Sequence, residues 1–214
     1  MLTLAVDTTA SFGSIALADE NGVREEVLLH APEGFSNVLF GAIEALLARQ
    51  AVTLAEIDLF AGASGPGSFT GVRVGLSAIK GLAEILGKRV VAVSNLEALA
   101  EFGQSNARAT VIDARRGEVY AALYDETGRK IVPEVVLPFQ RFVDSLPEGE
   151  IEWISQDFSP FPSQYQIVHA PRALAAAIAR IAIRRAAAGL AQDPEAIEAN
   201  YVRRSDAELL FSGD

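Results

Sequence analysis

Apolar residues fall in short runs over the first thirty positions. Residues 2–6 form one run, closing on Asp7-Thr8-Thr9. Residues 13–18 form a second, Asp19-Glu20-Asn21-Gly22 a polar turn, and residues 23–29 a third. Short apolar runs bounded by turn residues predict strands, and Asn-Gly between two of them predicts a hairpin. The period then changes. Phe35, Leu39, Ile43, Leu46 and Leu47 recur at three and four residues, which predicts a helix over 35–50. A strand over 57–63, a long helix over 68–86, a strand over 90–93 and a helix over 95–102 follow, the last with Ser94 as N-cap.

The pattern then restarts. Residues 110–113 form an apolar strand ending in aspartate. Residues 119–124 form a second strand, 125–128 a turn and 130–137 a third strand. Asp7 and Asp113, Asp19 and Asp125, and Gly22 and Gly128 each stand 106 residues apart, and the two copies align without a gap. A repeat of this size means two similar halves and not a solenoid. The expected fold class is α/β, with two similar subdomains, each a mixed sheet with flanking helices. The linker Gly103-Gln104-Ser105-Asn106 divides the chain into 1–104 and 105–214, and a last helix from about 194 is expected to pack back on the first subdomain. The stretch 158–163, with two prolines, reads as a loop.

Half of the 214 residues are hydrophobic and 21% are charged, which marks a folded globular chain. There is no cysteine, so disulfides, thiolate zinc sites and a cysteine nucleophile are excluded. The N-terminus has no basic n-region and reads as a strand, not a signal peptide. The apolar stretch 170–190 is interrupted by Arg172, Arg180, Arg184 and Arg185. Each arginine near a bilayer centre costs roughly 2.5–3.5 kcal/mol on insertion scales, so no membrane span is expected and the protein is expected in the cytoplasm. The net charge of −10 predicts weak RNA binding by the chain alone, because neutralised phosphates supply most nucleic-acid affinity. Arg172, Arg180 and Arg184 recur at multiples of four and so share a helix face, read as a solvated one.

Gly65-Pro66-Gly67-Ser68-Phe69-Thr70-Gly71-Val72-Arg73-Val74-Gly75 follows a strand and opens a helix, where backbone N–H groups favour an anion. It lacks the lysine of a P-loop, and its GxGxxxG spacing is not the GxGxxG of a dinucleotide fold. A tight turn followed by internal packing is the plainer reading. His30 and His169 form no HxxxH or HExxH pair, and no Gly-x-Ser-x-Gly elbow is present, so zinc-hydrolase and serine-hydrolase readings have no support. Asp7 and Asp113 can serve as Mg²⁺-organising carboxylates of a small ATPase or phosphotransferase. They can equally organise the turns that follow them. The turn Thr8-Thr9-Ala10-Ser11-Phe12 lacks the glycine and basic residue that hold phosphate in such enzymes.

The duplicated strand–Asp–hairpin unit resembles the actin-like (ASKHA, ribonuclease H-like) superfamily, in which two halves flank a nucleotide cleft. The segment 65–75 resembles the signature of the TsaB (YeaZ) family. So do residues 4–9, the string Ile112-Asp113-Ala114-Arg115-Arg116-Gly117-Glu118-Val119-Tyr120 and the closing segment 201–207. Many members carry His-Ser at the start of the first long helix, where this chain has Phe35-Ser36.

The resemblance implies a non-catalytic subunit of the machinery that makes threonylcarbamoyladenosine in tRNAs reading codons that start with A. TsaC makes threonylcarbamoyl-adenylate, and TsaD transfers the group. A TsaB protein binds TsaD and works with the ATPase TsaE. It implies a homodimer when alone, tRNA held only through the complex, and no cofactor of its own, with ATP or ADP at the complex interface left open. Asp7, Thr8, Thr9 and Asp113 are then the remains of a nucleotide cleft. The expected partner face is Phe35, Leu39 and Phe40 on the first helix with Phe69, Gly71, Val72, Gly75, Leu76, Ala78 and Ile79 on the second. Gly71, Gly75 and Ala78 would leave a channel on that face, so Gly75→Phe is expected to block association without unfolding the monomer.

Overall fold

The computed structural model describes residues 1–156 and 164–202. The described residues form two compact units, one from residues 1–98 and 171–199, the other from residues 99–156, 164–170 and 200–202.

The first unit is built on a five-stranded sheet of β1 (Thr3–Asp7), β2 (Phe12–Asp19), β3 (Gly22–His30), β4 (Leu59–Gly65) and β5 (Arg89–Ser94). Its order is β3-β2-β1-β4-β5, antiparallel over the first three strands and parallel from β1 through β5. Side chains alternate between faces along a strand. Leu4, Val6, Ile15 and Leu17 pack in one core with Leu39, Ile43 and Leu46 of α1 (Leu39–Arg49) and Val72, Leu76 and Ile79 of α2 (Phe69–Leu86). The alternate positions of the central strands are small (Ala5, Ser14, Ala16, Ala18) and fully buried. Across them lies an alanine-rich helix, residues Ala175–Ala187, which packs on β1, β2, β4 and β5. The Ser14 hydroxyl accepts the Leu174 and Ala175 N–H groups, and Glu26 Oε1 accepts that of Ala176. These bonds satisfy N–H groups that have no partner within the helix.

The second unit repeats the plan with β6 (Ala107–Arg115), β7 (Glu118–Asp125), β8 (Lys130–Pro138), β9 (Glu152–Ser155) and β10 (Ile167–His169), in the order β8-β7-β6-β9-β10. Ala109, Val111, Val119, Ala121 and Leu123 form its core with Trp153 and Phe142, the latter from α4 (Phe139–Asp144). The short helix α3 (Asn95–Ala100) runs through the boundary between units, so the alanine-rich helix is α5.

The shared strand order is the duplicated α/β, actin-like arrangement. The copies keep the 106-residue spacing, with β2 and β7 standing 106 apart at both ends, but they differ in register. Asp7 faces Ser14, seven residues on, whereas Asp113 faces Val119, six residues on. The second copy absorbs the difference in a bulge between Asp113 and Arg115. The units also divide the chain differently from 1–104 and 105–214. The boundary falls inside the helix that begins at Asn95, ahead of the polar linker. The helix that returns to the first unit is α5, while residues 194–196 make one 3₁₀ turn, followed by no helix among the described residues. Ile197 is buried in the first core, and Lys80 Nζ donates to its carbonyl at 3.0 Å. The expected loop over 158–163 and most of the closing segment 201–207 lie outside the described residues.

Candidate functional site

Asp7 closes β1 and is almost fully buried, with Thr8 and Thr9 beside it. The Thr9 N–H and hydroxyl both donate to Asp7 Oδ1, at 2.9 and 2.6 Å. Asn95, the first residue of α3, donates from Nδ2 to Thr9 Oγ1 at 2.7 Å and more weakly to the Asp7 carboxylate. Burial pushes the Asp7 carboxyl above the usual carboxylate range, and the Thr9 and Asn95 hydrogen bonds oppose this.

The glycine-rich loop fits against this turn. Gly65 N–H donates to Asn95 Oδ1 at 3.1 Å, Ser68 N–H to the Thr9 carbonyl at 2.6 Å and Gly71 N–H to the Ser68 hydroxyl at 3.3 Å. Thr8 Oγ1 donates to the Gly71 carbonyl at 2.7 Å. The amides of Gly65, Ser68 and Gly71 are therefore spent within the protein and not aimed at an anion. The glycines are there for closeness. A Cβ at Gly67 would stand 2.5 Å from the Thr9 carbonyl oxygen, one at Gly71 2.0 Å from that of Thr8, and one at Gly75 2.5 Å from Thr8 Oγ1.

This overturns the expected channel. Gly71 and Gly75 clear a helix face for the protein's own β1 turn, not for a partner. Leu39, Val72, Leu76, Ala78 and Ile79 are buried in the first core, and Phe35 is buried against the backbone position of Gly13. Of the expected face, Phe40 and Phe69 are exposed, at 55% and 42%, and the Arg73 guanidinium covers the Phe69 ring at 4.0 Å.

The outward sides of α1 and α2 carry a different set of residues. On α1 they include Phe40, Gly41, Glu44, Ala45 and Ala48; on α2 they include Ser77, Gly81, Glu84 and Ile85, the last 83% exposed. A Cβ at Gly41 or at Gly81 would meet nothing within 4 Å. Beside them is a mostly apolar groove of about 350 Å³ lined by Phe40, Ile43, Leu47, Val52, Leu54 and Leu82 among others.

In the second unit Asp113 is exposed, and its Oδ1 accepts the Arg115 N–H at 2.7 Å. Asp7 and Asp113 thus both hold the turn after the first strand of their sheet, one buried and one in solvent. Among the described residues no three histidine, aspartate and glutamate side chains gather as a metal-binding group, and no helix is long and apolar enough to cross a membrane.

Residues 29–204 match the family model of TsaD, tRNA N6-adenosine threonylcarbamoyltransferase. The tRNA threonylcarbamoyladenosine biosynthesis protein TsaB of Bacillus subtilis is 32% identical over 70% of this chain and 68% of its own length. The chain belongs to the TsaB (YeaZ) family. The Escherichia coli TsaB protein is 33% identical, the match spanning 64% of each chain. A solved structure titled YeaZ from Pseudomonas aeruginosa superposes with a TM-score of 0.79 at 27% identity, over 94% of this chain and 99% of that one. The close approaches at Gly67, Gly71 and Gly75 explain the glycine-rich segment as packing. Sequence reasoning did not single out Gly41 or Gly81, because neither belongs to a recognisable string.

Proposed function

We propose that this chain is a non-catalytic subunit in the formation of threonylcarbamoyladenosine in tRNA, and that it binds a TsaD homologue through the outward sides of α1 and α2. The observation that carries the reading is the internal consumption of the site where a nucleotide would sit. Asp7, Thr8, Thr9 and Asn95 bond to one another and to the glycine-rich loop. The apolar groove beside Gly41 and Gly81 offers a partner a place to dock. Exposed small residues on two neighbouring helices let a third helix approach closely, and Phe40 with Ile85 supplies apolar contact area. A second copy of the chain would use the same face, so homodimer and TsaD heterodimer compete. A TsaE homologue joins the assembled pair, the complex interface is the place for ATP or ADP, and tRNA is held by the complex in the cytoplasm.

The test is co-expression with the TsaD homologue of the same genome. The wild-type chain is expected to co-purify with it and, alone, to show no multiple-turnover ATP hydrolysis. Gly81→Trp is expected to abolish co-purification with its thermal unfolding midpoint unchanged within about 2 °C, since the site is open. Intact association in the folded Gly81→Trp variant would move the interface elsewhere. ATP turnover lost in Asp7→Asn would restore the ATPase reading.

A further inference from the structure

Helices α1 and α2 carry one acidic residue each, Glu44 and Glu84, and both are exposed. Among the described residues neither carboxylate has a hydrogen bond or an ion pair. The cations of the same helices are all engaged. Arg49 pairs with Glu25 at 2.7 Å, the Arg73 guanidinium covers the Phe69 ring, and Lys80 Nζ donates to the Ile197 carbonyl. Lys88, just past α2, lies 3.9 Å from Asp58. The outward sides of the two helices thus present two unpaired acids and no unpaired cation.

Glu44 differs from Glu84 in its place. Among the described residues it is the one ionisable side chain lining the apolar groove. Thr53, the other polar lining residue, is spent on Glu56, to which its Oγ1 donates at 2.7 Å. The rest of the lining, from α1, from Val52 and Leu54 and from Leu82 of α2, is aliphatic or aromatic. The groove therefore offers about 350 Å³ to an apolar group and one charged acceptor to a cation.

On the reading that this face docks a TsaD homologue, we infer that Glu44 selects the partner. The groove takes a helix that carries a bulky apolar side chain with a lysine or arginine one turn away, and it disfavours a second copy of this chain. Residues four apart on a helix are neighbours on one side, so an apolar anchor in the groove brings the cation to Glu44. The stem of a lysine or arginine also covers apolar lining while its head stays at the carboxylate. A two-fold contact, by contrast, brings the same surface onto itself. Glu44 would there give up water without gaining a cation, which is the costly way to bury a charge. Discrimination of this kind comes as much from the unpaired charge in the wrong complex as from the paired charge in the right one.

The test measures two affinities of the full chain, for the TsaD homologue of the same genome by calorimetry and for itself by sedimentation equilibrium. Glu44→Gln keeps the shape of an exposed side chain and removes its charge, so the variant is expected to melt as the wild type does. It is expected to weaken the heterodimer about tenfold or more and to tighten the homodimer by about as much. Salt at about 0.5 M is expected to weaken the wild-type heterodimer and to have less effect on that of the variant. Glu126→Gln, which removes one exposed charge from a turn of the second unit, is expected to change neither affinity. An unchanged heterodimer in Glu44→Gln, two affinities that move together in the folded variant, or the same shifts from Glu126→Gln would each overturn selection by Glu44 and leave the subunit reading intact. A chain that does not bind the TsaD homologue loses the subunit reading instead. Self-association then decides: a tighter homodimer in Glu44→Gln supports selection by Glu44, and an unchanged one overturns it.

Discussion

At Gly71 the whole side chain is hydrogen, and the Thr8 carbonyl oxygen occupies the space where a methyl group would be, 2.0 Å from the ideal Cβ position. Neither neighbour can yield cheaply. Thr8 is held by its hydroxyl on the Gly71 carbonyl, and Thr9 by Ser68, Asn95 and Asp7. Overpacking a core typically costs 1–3 kcal/mol, and here the obstacle is backbone. Gly71→Ala is therefore expected to destabilise the protein by about 3 kcal/mol or more, read as a lowered midpoint in urea unfolding. Gly41→Ala, with nothing within 4 Å, is expected to hold or raise that midpoint. The pair separates a glycine kept for internal closeness from one that leaves an outer surface open. The sequence placed both kinds at helical spacing and offered no means of telling them apart. What distinguishes them is whether the β1 turn lies across the helix, and that is a tertiary fact.

The three long helices end alike but not with the same residue. After α2 the left-handed position is Gly87, and after α5 it is Gly189. After α1 it is Ala51, at φ 51°, with Val52 N–H donating to the Leu47 carbonyl and Ala51 N–H to that of Ala48. This pair of bonds is the Schellman termination, in which glycine carries no Cβ penalty. Ala51→Gly is expected to stabilise the protein by roughly 0.5–1 kcal/mol, the relief of strain exceeding the added freedom of the unfolded chain. Chemical denaturation would show it as a raised midpoint with unchanged slope. Elements of this length were legible, since α1, α2 and the hairpin strands span whole periods of the apolar pattern. The four-residue β9, the three-residue β10 and the six-residue α4 were not. A segment that short shows at most one or two repeats of a period, so its neighbours in the fold weigh heavily in deciding its state.

At the scale of the whole chain the 106-residue repeat showed the duplication in advance, because each copy opens on the same strand–aspartate–hairpin order. It could not show that α5, encoded after the second unit, belongs to the first. The alanine face of α5 meets small residues on β1 and β2, and neither surface is distinctive alone. A chain ending at residue 170 keeps all ten described strands yet uncovers Ala5, Ser14, Ala16 and Ala18. It is expected to lose the cooperative thermal transition of the first unit, whereas a chain ending at 199 is expected to keep it. Circular dichroism melting of the two truncations would decide. Protein synthesis meets the same dependence in time. The ribosome delivers the first sheet early but the helix that covers it only after the second unit has been made. The nascent first sheet therefore waits with one apolar face unprotected while about seventy more residues emerge, some seconds at ordinary elongation rates. During that interval a chaperone has the most to hold.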